Sequence, residues 1–154
     1  MEKQEFRITI DAPKEKVWQT LWDKTTYSTW TAPFLEGSST EGASSTVETD
    51  NWKKGSKVLF LDGKGNGMVS RVDENIPNKF MSFKHLGEVR NGVEDTTSEK
   101  VKDWAGATEN YTLKETDGKT ELVVDMDINE EFAEMFKNIW PKALKSLKEL
   151  AEKN

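Results

Sequence analysis

NEEFAEMFKNIWPKALKSLKELAEK, residues 129–153, carries Phe132, Phe136, Ile139, Ala143, Leu147 and Leu150 at spacings of three and four. That recurrence stacks the side chains on one side of an α-helix. Met135 and Ser146 flank the stripe on one edge, and Trp140, Leu144 and Ala151 widen it on the other. Glu130, Glu134, Lys137, Lys145 and Lys148 fall opposite. An apolar arc this wide exceeds a coiled-coil seam and suits a helix lying on a broad sheet. Each large side chain buried there stabilises by roughly 1.5–3 kcal/mol, so this helix is expected to supply much of a domain's marginal stability. Pro141 sits on the polar side, where its missing N–H and its clash with the preceding turn should bend the helix around the core.

The segments upstream read as the sheet that such a helix needs. Leu122, Val124, Met126 and Ile128 share one face of a strand, and Asp125 and Asp127 the other. Together with Trp104 to Glu115 it forms a hairpin, with Asp117-Gly118 as the pair a type I′ turn requires. Further strands are expected at Thr46–Asp50, Lys57–Asp62, Gly67–Asp73 and Lys79–Leu86. Gly55, the Gly63–Gly67 run and Ile76-Pro77-Asn78 punctuate them as turns. Such short connections favour antiparallel neighbours. Gly87 to Asp103 reads as a long polar excursion with a short helix near Ser98–Lys102, Ser98 acting as N-cap. Glu36 to Ser45 is a Gly/Ser/Thr loop. At the other end, Phe6, Ile8 and Ile10 alternate with polar residues as a half-buried strand. Pro13 then opens a short helix with Val17, Trp18, Leu21 and Trp22 on its apolar side, and Tyr27, Trp30 and Phe34 follow in a second short helix interrupted at Pro33. The fold class is α+β: strand, short helices, about six more strands, long helix.

Composition narrows the function. A chain of 154 residues is one ordinary domain, with burial concentrated in six Trp and seven Phe because only 34% of it is hydrophobic. A net charge of −6, with no basic stripe interleaved with aromatics, argues against nucleic acid. With no cysteine, disulfides, thiolate catalysis and zinc–sulfur sites are excluded. A single His and scattered carboxylates hold out no metal site, and no cofactor is expected. The first residues lack a signal-peptide pattern, and no apolar run approaches the ~20 residues of a membrane span, so a soluble cytoplasmic protein is expected.

Ile8-Thr9-Ile10-Asp11-Ala12-Pro13 followed by Val17-Trp18, then Trp30, Asn51-Trp52-Lys53-Lys54-Gly55, and finally Trp140 with Leu144 and Leu147, stand in an order that resembles the family named for activators of the 90-kDa heat-shock protein ATPase. That family falls within the START-like (SRPBCC) helix-grip superfamily. The resemblance implies a curved antiparallel sheet of about six to seven strands wrapped around a long C-terminal helix, with two short helices after strand 1. It also implies two different jobs: holding an apolar molecule between sheet and helix, sometimes with chemistry on it, or stimulating a chaperone. The co-chaperones carry a separate N-terminal domain for the main chaperone contact, and here only Met1 to Gln4 precede the first strand. The expectation is therefore a small apolar or aromatic ligand, with a protein-interaction module and a cyclase- or hydrolase-type enzyme as alternatives.

A cavity under the helix would be lined by Met135, Phe136, Ile139 and Trp140 from the helix. From the sheet it would take Phe60, Val69, Phe83, His85, Trp104 and Tyr111, with Trp30 and Phe34 closing one end. Taken singly, each is more readily core filling than a ligand contact. Taken together they suit a pocket of roughly a few hundred Å³. His85 is either a pocket hydrogen-bonding group or a half-exposed strand residue. No catalytic residue is assigned: serines cluster in loops without a G-x-S-x-G motif, and Gly63 to Gly67 is a hairpin turn rather than a phosphate cradle. Arg71, Asp73, Glu109 and Asp125 are placed to meet across strands, either as an acid–base group or as solvated cross-strand links. Trp52 and the acidic excursion offer the pieces of a protein-docking surface, and Trp52 equally the makings of a core cap.

Overall fold

The computed structural model describes residues 2–35, 46–49 and 51–153. The polar loop expected at Glu36 to Ser45, and the last residue of the strand expected to end at Asp50, lie outside the described residues. Strand β1 (Glu2–Ile10) leads through helices α1 (Lys14–Trp22) and α2 (Lys24–Trp30) and a 3-10 turn (Ala32–Leu35) into the sheet. The sheet strands are β2 (Thr46–Thr49), β3 (Lys57–Leu61), β4 (Gly67–Ile76) and β5 (Phe80–Arg90), then β6 (Val93–Asp95), β7 (Thr108–Thr116) and β8 (Lys119–Ile128). Helix α3 (Glu99–Lys102) separates β6 from β7, and α4 (Glu130–Glu152) ends the chain. The sheet is antiparallel throughout, in the order β1-β8-β7-β5-β4-β3-β2, with β6 paired to β5. This is the helix-grip arrangement.

Local chemistry sets the joints. Pro13 is the N-cap of α1 rather than its first helical residue, with extended backbone at φ −69° and ψ 157°. Asp23 ends α1 and caps α2, accepting from the Thr25 amide at 2.9 Å. Asp117 and Gly118 both take positive φ, 54° and 81°, as a type I′ turn between right-twisted strands demands. Ser98 Oγ caps α3 by accepting from the Val101 amide at 3.4 Å.

Helix α4 lies over the inner face of the sheet, where Ile10, Val58, Val72, Met81, Phe83, Leu122 and Val124 form the core. Its closest neighbours among the described residues are β1, α1, α2 and the 3-10 turn, not β4, β5 or β7. Its C-terminal half is sealed through Ala143, Leu144, Leu147 and Ala151. That end is tied down where Glu152 accepts from the Asp11 amide at 2.8 Å. The N-terminal half behaves differently. Phe132 and Met135, expected along the buried stripe, are 45% and 46% exposed, because this half spans an opening instead of pressing on strands. Pro141 is exposed and helical residues continue on both sides of it.

Two departures come from the sheet. Gly87 to Arg90 is not part of a polar excursion but the end of β5, which turns at Asn91 and Gly92 (φ 53° and 79°) and returns as β6. A Cβ on Gly87 would sit 2.1 Å from the Asp95 carbonyl oxygen, so the chain leaving β6 rests directly on β5 there. Trp104 precedes β7 in a turn, and the strand starts at Thr108.

Candidate functional site

Between α4 and the open end of the sheet lies a cavity of about 690 Å³. The ring-bearing walls follow from strand parity and helix spacing. Phe60 on β3 and Tyr111 on β7 face inward, Trp30 and Phe34 close the α2 end, and Phe136, Ile139 and Trp140 form the roof. Met135 and Phe132 stand at the rim, and Trp104 and His85 complete the side toward α3. Trp140 is the hub of the roof: its ring lies 5.8 Å from Phe6, 4.9 Å from Phe34 and 6.2 Å from Tyr111.

Ten of the expected side chains thus share one cavity, and Val69 and Phe83 do not. Val69 pairs with Gly87 and Met68 with Glu88. Met68 lines the cavity, so Val69 points to the opposite face, buried apart from the main core. Phe83 faces inward but is fully buried beneath Trp22, Trp52, Phe60 and Tyr111. Trp52 packs on Trp22 at 5.1 Å and so caps the core.

The register shift at Val69/Ser70 re-aims β5. Ser70 pairs with His85 and Val69 with Gly87, which leaves Leu86 as an extra residue. His85 and Glu88, three apart and on opposite faces of a regular strand, therefore both line the cavity. His85 is 7% exposed rather than half-exposed. Its backbone is held on the turn just before β7 by His85 N–H to the Ala107 carbonyl and Gly106 N–H to the His85 carbonyl, both 2.8 Å.

That placement assembles a chain of polar groups on the cavity floor. Ser70 Oγ lies 2.6 Å from His85 Nδ1, and His85 Nε2 lies 3.2 Å from Glu109 Oε1. The other carboxylate oxygen, Oε2, accepts from the Tyr111 hydroxyl. Burial, reinforced by the Glu109 charge and hydrogen bond, holds the Tyr111 phenol well above its usual pKa, so Tyr111 keeps its proton. Ser, His and Glu here meet in the order of a catalytic triad, through a serine on β4 rather than one of the loop serines the sequence brings to notice. Ser70, however, has no accessible surface and does not line the cavity, so it orients His85 and is no nucleophile.

The carboxylates expected to gather do not. Glu109 turns inward to His85, Asp125 accepts from Asn110 on the outer face, and Arg71 pairs with Asp73 at 3.3 Å. Glu109 was nonetheless legible, because it stands two residues before inward-facing Tyr111 on the same strand. Glu88 and Met68 were not, because their direction depends on the bulge. Among the described residues no group of three or more His, Asp or Glu side chains could hold a metal ion. Nor is any helix among them long and apolar enough to cross a membrane.

Comparison with solved structures returns the same architecture. The solution structure of the Aha1 dimer from Colwellia psychrerythraea is similar at 22% identity and TM-score 0.66, covering 99% of this chain and 97% of that one. Protein MLL2253 from Mesorhizobium loti is similar at 16% identity and TM-score 0.71, with 97% and 96% covered. CalU16 from Micromonospora echinospora is similar at 15% identity and TM-score 0.64, with 97% and 76% covered. No curated protein matches the sequence. Residues 11–152 match the family described as Activator of Hsp90 ATPase homolog 1-like protein, spanning every element from α1 to α4 together with the cavity, and the chain belongs to that family.

Proposed function

We propose that this protein binds a small, largely apolar or aromatic molecule in the cavity beneath α4. One observation carries the reading: a cavity of about 690 Å³ walled by rings, with a few convergent polar groups on its floor. Ligand sites have this size and balance, roughly 300–1,000 Å³ and mostly apolar. The exposed Phe132 and Met135 stand at the rim of this cavity, so they support entry into it more than a separate docking face. Native mass spectrometry of the purified protein, with and without an added naphthalene-based probe, tests the proposal. The expected result is a mass increment of one molecule, weakened in Ile139→Arg, which sets a charge in the apolar roof. Equal binding by the parent and by a folded Ile139→Arg protein would place the ligand elsewhere and overturn the reading.

A second reading, proton transfer to or from the bound molecule, is supported by the Glu109–His85 contact of 3.2 Å at the cavity floor. It assigns Glu109 as the base and His85, oriented by Ser70, as its partner. A Glu109→Gln protein that turned over an identified substrate as fast as the parent would dismiss it.

A further inference from the structure

The proton inventory of the cavity floor points to a ligand class. Tyr111 has one hydroxyl hydrogen, and Glu109 accepts it. His85 directs Nε2 at Glu109 and Nδ1 at Ser70, so both ring nitrogens are committed. Glu109 turns one oxygen to His85 and the other to the Tyr111 hydroxyl, and so serves as the acceptor of the group. What remains toward the cavity is acceptor capacity, the second lone pairs of Glu109 and those of the Tyr111 oxygen. The floor accepts hydrogen bonds and does not donate them.

The charges around it are mostly of the same sign. Asp62, Glu88 and Asp103 also line the cavity, with Lys100 as the lysine among them, whereas Asp127 touches it but turns its carboxylate to the Thr108 amide and hydroxyl. The hydrogen bonds to Asp62 come from the Lys64 and Asn66 amides and the Asn66 side chain, not from a cation. Glu88 and Asp127 pair with Arg90 and Lys3 at 3.3 and 4.0 Å, but both partners are 61% exposed and screened by water. Donors line the cavity away from the floor, among them Lys100, Trp104 and Trp140. The indole N–H of Trp140, a residue 3% exposed on the cavity wall, has no partner. It provides one place for an oxygen elsewhere on the same molecule.

We propose that the cavity selects an amphiphilic organic cation: a protonated amine on an aromatic or aliphatic frame, its N–H groups directed at Glu109 and Tyr111. This rests on the cavity being a ligand site. A neutral alcohol or phenol satisfies the floor less well. A carboxylate meets Glu109 with no proton between them, in surroundings too apolar to screen the repulsion.

Calorimetric titration at pH 7 with 2-naphthylmethylamine, 2-naphthalenemethanol and 2-naphthoate varies the head group on one frame. The amine should bind at least about tenfold more tightly than the alcohol, with the naphthoate weakest, as expected for charge-assisted against neutral hydrogen bonding. Because the net charge of −6 attracts cations anywhere on the surface, Glu109→Gln localises the effect and should cut the amine's advantage to about threefold or less. Should that variant not fold, Asp62→Asn, an exchange nearer the surface, should reduce the preference in the same direction. Naphthoate binding as tightly as the amine, or an advantage unchanged in the folded variants, would overturn the donor rule and leave an apolar binding site. Failure of all three ligands to bind would overturn both the rule and the binding reading.

Discussion

Tyr111 donates a hydrogen bond from its hydroxyl to Glu109 in a setting where the phenol is nearly fully buried, and this links stability to pH. The folded-state pKa is raised, chiefly by burial and then by Glu109. Above the free-phenol value of about 10 the unfolded chain releases this proton first, so folding stability is full below that pH and declines above it. The decline approaches roughly 1.4 kcal/mol per pH unit for one proton. Tyr111→Phe should cost about 1–3 kcal/mol at pH 8, because Glu109 loses a donor. Its deficit should narrow between pH 10 and 11, where only the parent loses this contribution. Urea denaturation of both proteins at pH 8 and 11 measures it, and parallel losses would count against the Tyr111–Glu109 link. At this scale the sequence was half readable. Tyr111, and with it Glu109, followed from alternation along a regular strand. Ser70 did not, because its meeting with His85 depends on how β4 registers against β5, a pairing between residues 15 apart that no local pattern encodes.

Among the elements, α4 was the most legible, since a spacing of three and four over 23 residues has no competing interpretation. What the spacing could not tell is which half of the stripe meets a wall and which meets a cavity. Leu147 and Ala143 are fully buried while Phe132, on the same stripe, is 45% exposed. The β5–β6 hairpin was missed for a different reason. Its two-residue turn, Asn91-Gly92, is a standard hairpin signal, but the flanking Glu and Arg residues hide the alternation of a strand whose Val89 is buried. Pro141 lies inside α4 with no amide to donate to the Lys137 carbonyl, and its side chain faces water. Pro141→Ala restores that bond at a site where no packing is lost. The expected gain is about 2 kcal/mol, the helix-interior penalty of proline less the entropy it removes from the unfolded chain. A higher urea midpoint with an unchanged slope checks this, and an unchanged or lower midpoint would mean that the bond is not regained.

Over the whole molecule, one helix performs two tasks along its length. The helix packs against β1, α1 and α2, its C-terminal half is buried through Ala143, Leu144, Leu147 and Ala151, and the Glu152–Asp11 contact pins its end to the corner between β1 and α1. The N-terminal half is thereby held over strands it does not press against, and the space below it is the cavity. On the proposed function the C-terminal half holds the domain together and the N-terminal half roofs the ligand, so binding need not remodel the sheet. Folded chain should then be the only binding-competent state, and occupancy should appear as stability. At a free concentration of 2-naphthylmethylamine about 100 times its dissociation constant, the unfolding free energy should rise by ~2.7 kcal/mol. For a domain of this size each kcal/mol moves the midpoint by about 2–4 °C, so the melting temperature should climb roughly 5–10 °C. Scanning calorimetry across a concentration series should show a rise that continues logarithmically beyond saturation. A melting temperature indifferent to a ligand that calorimetry shows to be bound would mean that folded and unfolded chains bind it alike, which no preformed cavity under α4 could do.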